Sequence, residues 1–177
     1  VISLEGLQAV VGVRAQCIED LYDDLVKTMA AKAIDTPLRI AMFVAQAAHE
    51  TMGFTHLEEI ASGQAYENRA DLGNTQPGDG VRFKGRGVFQ VTGRANYARC
   101  SIAIAFANRF IDHPEDLAKP QWAAASAGWF WEWKGLNKLA DAGDILGVTK
   151  KINGGTNGLQ NRQRLYDRAK RVLGVHT

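Results

Sequence analysis

Glu50 and Glu59 stand nine positions apart, the first closing the apolar run Phe43-Val44-Ala45-Gln46-Ala47-Ala48-His49, the second beyond Gly53. A glycosidic bond needs one carboxylic acid to protonate the leaving oxygen and one carboxylate to activate water or attack carbon. Nothing else is chemically compulsory. Partial burial behind the apolar run disfavours the ionised form of Glu50, so a raised pKa suited to a general acid is expected there. The plainer reading is a surface glutamate at a helix end. Glu58 competes with Glu59 for the second place. Nine residues of unbroken helix would hold the two groups ~13.5 Å apart, too far for glycosidase chemistry, so the chain must turn between them, and Gly53 permits it.

Other chemistries recede. His49-Glu50-Thr51-Met52-Gly53 opens like a metalloprotease helix but has no second histidine four places after the first. Gly85-Arg86-Gly87 lacks the third glycine of a dinucleotide fingerprint and the Lys-Ser/Thr of a phosphate loop, and no Gly-x-Ser-x-Gly elbow occurs. Cys17 and Cys100 are too few for a disulfide framework and unclustered, so free thiols are expected, with no metal and no cofactor.

At 177 residues the chain suits one catalytic domain, and a monomer is expected. Its formal charge of +2 selects no partner, but the distribution is uneven. Residues 1–60 carry four Lys or Arg against nine Asp or Glu, and residues 150–177 carry seven against one. The basic end is either a solvated helix face or a patch for anionic cell wall, lipopolysaccharide or nucleic acid, with no obligatory nucleic acid. No apolar run reaches the ~18 residues of a membrane span, and no basic start leads an apolar stretch at the N-terminus. The expectation is a chain without its own export signal, and the start at Val1 leaves room for a leader or binding module upstream.

The elements that must position the glutamates are helical. Ile18, Leu21, Tyr22, Leu25 and Met29 recur at three and four, predicting an amphipathic helix over 14–33. Thr36 offers an N-cap and Pro37 a first turn for a helix ending near Gly53, with Glu50 in its last turn. Residues 63–87 are rich in Gly, Asn and Asp and predict a loop walling a cleft. Val88–Thr92 alternates and predicts a short strand with Gln90 and Thr92 on one face. Pro120 opens a helix closed by Gly135, whose Trp122, Trp129 and Trp133 are expected in the core. The last helix, about 159–173, turns Leu165, Ala169 and Val172 inward and carries Arg162, Arg164, Arg168, Lys170 and Arg171 on polar faces.

Three separated stretches, Phe43 to Phe54, Arg86-Gly87-Val88-Phe89-Gln90-Val91-Thr92-Gly93-Arg94-Ala95-Asn96-Tyr97 and Ile152-Asn153-Gly154-Gly155, resemble glycoside hydrolase family 19, which holds chitinases and phage endolysins. The resemblance implies a mainly α, α+β lysozyme-like fold of two lobes around a glycan cleft, the small lobe near 51–92. It implies Glu50 as acid and Glu59 as base in an inverting reaction, with carboxylates about 6.5 to 9.5 Å apart. It further implies that Gln90, Thr92, Asn96, Tyr97 and Asn153 bind sugar or position water, and that Arg162 pairs with the acid. Asn157 departs from the pattern, standing where plant-type members place a carboxylate near that arginine.

Tyr66-Glu67-Asn68-Arg69-Ala70-Asp71-Leu72-Gly73-Asn74 resembles the bacterial and phage branch. The expected function is therefore a peptidoglycan endolysin cutting β-1,4 bonds between N-acetylmuramic acid and N-acetylglucosamine. It would be made in a host bacterial cytoplasm and reach the wall after a holin-type partner opens the membrane. A chitinase, or a non-catalytic module binding wall or nucleic acid, are the alternatives.

Overall fold

The computed structural model describes residues 1–105 and 107–175. Among them ten α-helices succeed one another: α1 (Leu4–Val11), α2 (Gln16–Ala31), α3 (Pro37–Glu50), α4 (Asp79–Arg82), α5 (Arg94–Ile104), α6 (Arg109–Asp112), α7 (Pro120–Trp133), α8 (Leu136–Asp141), α9 (Ile145–Asn153) and α10 (Leu159–Val172). No helix among the described residues is long and apolar enough to cross a membrane.

The helix that carries Glu50 starts where its sequence says it should. Thr36 Oγ1 accepts from the backbone N–H of Arg39 at 3.2 Å, and Pro37 occupies the first turn, where no donor is needed. Every residue from Ile40 to Ala48 is buried, so α3 is covered on all sides and forms the spine of the core. It packs most extensively against α10, while α2 packs on α7.

The turn after Glu50 is built from Thr51. Its hydroxyl donates to Ala47 O at 2.6 Å and accepts from the Phe54 N–H at 2.8 Å, closing the helix and bending the chain in one buried residue. Met52, Gly53 and Phe54 all take positive φ, at 52°, 80° and 66°. Two non-glycine residues in that region store backbone strain. Burial of the Phe54 ring helps to offset it.

Two clusters make the core. The larger joins α2, α3, α7 and α10 around Phe43, whose ring meets Trp131 edge-on at 5.2 Å and Phe89 at 5.7 Å. The smaller gathers Phe83, Val91, Tyr97, Cys100, Phe110 and Leu117, reaching well past residue 92. Cys17 and Cys100 are both free, and burial pushes the Cys100 thiol up to about 12.

Several expectations are corrected. Residues 88–92 are a tight turn, and among the described residues only isolated bridges occur, Arg86 pairing with Glu58 and Val91. Val88, Phe89 and Val91 are all buried and Gln90 has φ 49°, because this segment packs between two clusters where a strand would have a wet face. On α7 the core tryptophan is Trp131; Trp133 is 46% exposed and Trp129 half-buried, the two rings stacking at 5.2 Å. On α10 Val172 is exposed, while Arg162, Tyr166 and Ala169 turn inward. The face of α10 that meets α3 is thus set by a buried cation, which hydrophobic periodicity does not register.

Phe43→Ala is expected to lower the free energy of unfolding by about 3 to 5 kcal/mol. The exposed Ile102→Ala should change it by less than about 0.5 kcal/mol. Urea titration of the two variants checks both.

Candidate active site

Glu50 ends α3 beside a cation from α10. Arg162 Nη2 donates to Glu50 Oε1 at 2.5 Å and Nη1 donates to Gln46 Oε1 at 2.5 Å, one turn earlier on the same helix. Gln46 in turn donates to Thr149 Oγ1 of α9 at 3.2 Å. The Arg162 side chain is 2% exposed and that of Glu50 18%. Glu50 is thus partly buried, as its place behind the apolar run suggests, and its surroundings are polar and hydrogen-bonded.

The Arg162 Nε hydrogen goes to the backbone carbonyl of Asn157 at 3.3 Å. Position 157, where the sequence departs from the family pattern, thus meets Arg162 through its main-chain oxygen. Asn153 serves that loop, donating to Asn157 O at 2.9 Å and accepting from Gly155 N–H at 2.8 Å. Asn153 thus ties together the loop that presents the Asn157 carbonyl to Arg162, and as an exposed side chain it keeps a second N–H and a second lone pair outside the turn.

Glu59 is returned to Glu50 by the Thr51 turn and docked on Gly85. Its backbone N–H donates to Gly85 O at 2.8 Å, and its carboxylate Oε2 accepts from Gly85 N–H at 3.1 Å. The other oxygen, Oε1, accepts from Tyr66 OH at 3.0 Å. Glu58, which also lines the cleft, is bonded to Arg86 at 3.0 Å and Lys84 at 3.2 Å. Adjacent carboxylates thus divide: the cations hold Glu58 and neutral donors hold Glu59.

Gln90 and Thr92 converge on the same glycine. A Cβ built on Gly85 would lie 2.6 Å from Gln90 Oε1, 3.2 Å from Glu59 Oε2 and 3.3 Å from Thr92 Oγ1. Only glycine lets those three oxygens gather. Gln90 Nε2 donates to Gly87 O, and Thr92 Oγ1 donates to Gln90 O, which fixes both side chains from below.

Glu50, Glu59 and Gln90 line one open cleft of about 270 Å³, with Met52, His56 and Ile60 at its edges. Gln90 also lines a second, narrower cavity of about 110 Å³ with Thr92, Asn96, Leu72, Trp129 and Trp133. Asn96, which lines that space, donates to Thr92 O at 2.9 Å. Sequence reasoning missed Tyr66 as a partner of Glu59, Gly85 as the gathering point and Trp133 as a cleft aromatic. The Trp129 and Trp133 spacing was visible but equally compatible with core.

Tyr97 is corrected. Its ring is fully buried in the smaller cluster, and its hydroxyl donates to Lys84 O at 2.6 Å and accepts from Arg86 at 3.1 Å. Burial raises its pKa far above the ordinary range. It supports the Arg86 turn and does not reach sugar. Among the described residues no group of three or more His, Cys, Asp or Glu could hold a metal.

No family model matches the chain. It is 30% identical over 158 residues to a glycosyl hydrolase family 19 domain-containing protein of Haemophilus influenzae, the match taking in 71% of this chain and 76% of that one. It is 32% identical over 139 residues to acidic endochitinase SP2 of Beta vulgaris, taking in 76% of this chain and 46% of the plant protein, so it spans about half that relative's length. Among solved structures, chitinase C from Streptomyces griseus superposes with a TM-score of 0.79 at 20% identity, over 99% of this chain and 94% of that one. A class IV chitinase from Zea mays gives 0.67 at 24% identity, over 86% and 79%. These two likenesses establish the mainly helical fold.

Gly85→Ala is expected to push Gln90 and Glu59 off their positions while the fold survives, because the displaced atoms end flexible side chains. Turnover on whichever glycan the parent cuts should fall at least about tenfold, since misplaced catalytic groups lose positioning, with little change in melting temperature. Arg162→Met should leave Gln46 and Glu50 without their donor and cost roughly 3 kcal/mol of stability, measurable by denaturant titration.

Proposed function

The chain belongs to glycosyl hydrolase family 19 and is a glycoside hydrolase, and on that premise we propose that it cuts β-1,4 bonds in peptidoglycan, with Glu50 as general acid and Glu59 as general base. The observation that carries this reading is the placement of Glu50, Glu59 and Gln90 on one open cleft.

The division of labour follows from the hydrogen bonds. Arg162 holds Glu50 Oε1, so Oε2 is the oxygen left to carry a proton to the leaving group. Glu59 keeps lone pairs on both oxygens beyond those used by Tyr66 and Gly85, enough to take a proton from water. Gln90 Oε1 and Thr92 Oγ1 sit beside it to orient that water. Attack by water on the face opposite the leaving group gives inversion. Asn96, which lines the adjoining cavity with Gln90, would bond the sugar.

Peptidoglycan is favoured over other N-acetylglucosamine polymers by charge. Lys150 and Lys151 of α9 and Arg164 and Arg171 of α10 are all exposed, a basic surface suited to an anionic wall. In that role the enzyme would act in the periplasm once a holin-type partner has opened the membrane. A chitinase is the second reading, favoured by the chitinases among its relatives. Membership in a hydrolase family speaks against the non-catalytic module.

The test pairs the parent with Glu50→Gln and Glu59→Gln on isolated Gram-negative sacculi and on chitin oligomers, each variant shown to be folded by circular dichroism. The parent should release muropeptides with a new reducing-end muramic acid. On the substrate it cuts, proton NMR should show the α-anomer first. Each Gln variant should lose about 100-fold or more in turnover, the lower range for a general acid or base. Cleavage of chitin alone would make it a chitinase, and a folded parent that cuts neither polymer would sink the proposal.

A further inference from the structure

The Tyr66 segment has no part in the acid and base assignment, yet its phenol ends on the base. Tyr66 OH donates to Glu59 Oε1 at 3.0 Å while Gly85 N–H holds Oε2 at 3.1 Å. We propose that Tyr66 is a positioning residue for Glu59, holding the carboxylate aimed into the cleft and stabilising its ionised form with a neutral donor. The proposal rests on Glu59 being the base.

The chemistry favours a neutral donor at this place. A cation bonded to a carboxylate strongly stabilises its charge and weakens it as a proton acceptor. Lys84 and Arg86 are close by, and both bond Glu58. Lys84 reaches Glu59 at its backbone carbonyl, 3.0 Å away. Glu59 is therefore oriented by a phenol and an amide, which fix its direction without placing a formal positive charge on its carboxylate.

The phenol is itself held firmly. Buried Asn74 donates to Tyr66 O at 2.8 Å and accepts from the Arg94 N–H at 2.8 Å. Asp79, also buried, takes both the Nε and Nη2 hydrogens of Arg94, and Glu67 accepts from the N–H groups of Gly78 and Gly80. The loop from 63 to 80 is thereby fastened to α5 without help from the phenol. A tyrosine needed only for loop shape would have no reason to end on Glu59. Burial, and then the bond to Glu59, raise the Tyr66 pKa, so the phenol stays a donor across the working range.

The experiment compares Tyr66→Phe with the parent and Glu59→Gln on the polymer that the parent cuts, recording kcat and KM against pH. Other charged groups around the cleft are Glu50, His56, Glu58, Lys84 and Arg86, and all remain in the variant. The expected result is a kcat about tenfold lower with KM little changed, and an acidic limb moved up by about one pH unit, the size of one lost charge-assisted hydrogen bond. The alkaline limb, which belongs to Glu50, should stay in place, and the melting temperature should confirm that the loop is intact. Parent-like kcat and limbs, or lower kcat with an unmoved acidic limb, would overturn the role of Tyr66. If Glu59→Gln keeps parental turnover, the base assignment itself falls and takes this inference with it. An inactive Glu59→Gln beside a parent-like Tyr66→Phe would remove the inference alone.

Discussion

The guanidinium of Arg162 is the joint on which the molecule depends. It lies almost wholly inside the protein, yet its hydrogens reach Gln46 and Glu50 of α3 and the carbonyl of Asn157, and Gln46 continues to Thr149 of α9. A buried cation without such partners would be prohibitively costly. Its geometry therefore dictates the register of α10 on α3. The same contact that locks the two helices holds one oxygen of Glu50. One side chain thus serves both the packing of the two helices and the orientation of Glu50, with Asn153 bracing the loop behind it.

The second carboxylate depends on a different device. The Thr51 turn reverses the chain in a buried hydroxyl, and the backbone of Glu59 then pairs with Gly85. Gly85 is small enough for Gln90, Thr92 and Glu59 to place oxygens around it. Gln90 accepts an unfavourable φ of 49° to do so, held by the burial of Val88, Phe89 and Val91 on either side. Strain in a short turn is thus stabilised by two hydrophobic clusters, and the cleft lies where those clusters meet.

Much of the scaffold was legible because helical periodicity and caps are local. Thr36 and Pro37 started α3, Pro120 and Gly135 bounded α7, and the stripe Ile18, Leu21, Leu25 and Met29 is the buried face of α2. The failures share one cause. Alternation over Val88–Thr92 and tryptophan spacing on α7 each fit two environments, and only the neighbours in space decide between them. Tyr97 fell for the same reason: a tyrosine next to Asn96 in the motif can face either a cavity or the core.

The sequence by itself determined the helical class, the position of Glu50 at the end of α3, the need for a turn before Glu59, and the resemblance to a hydrolase family. These follow from residue type and short-range spacing. Tertiary structure alone decided that of the two cleft carboxylates Glu58 meets cations and Glu59 neutral donors, that Tyr66 and Gly85 supply those donors, that Asn153 and Tyr97 bond the loops behind Arg162 and Arg86, and that Trp133 opens onto the adjoining cavity. Glu58 and Glu59 are chemically identical neighbours. What separates them is which one meets Lys84 and Arg86 and which one meets a phenol and an amide; the phenol lies seven residues from Glu59 and the amide 26, and no local pattern encodes which glutamate they meet.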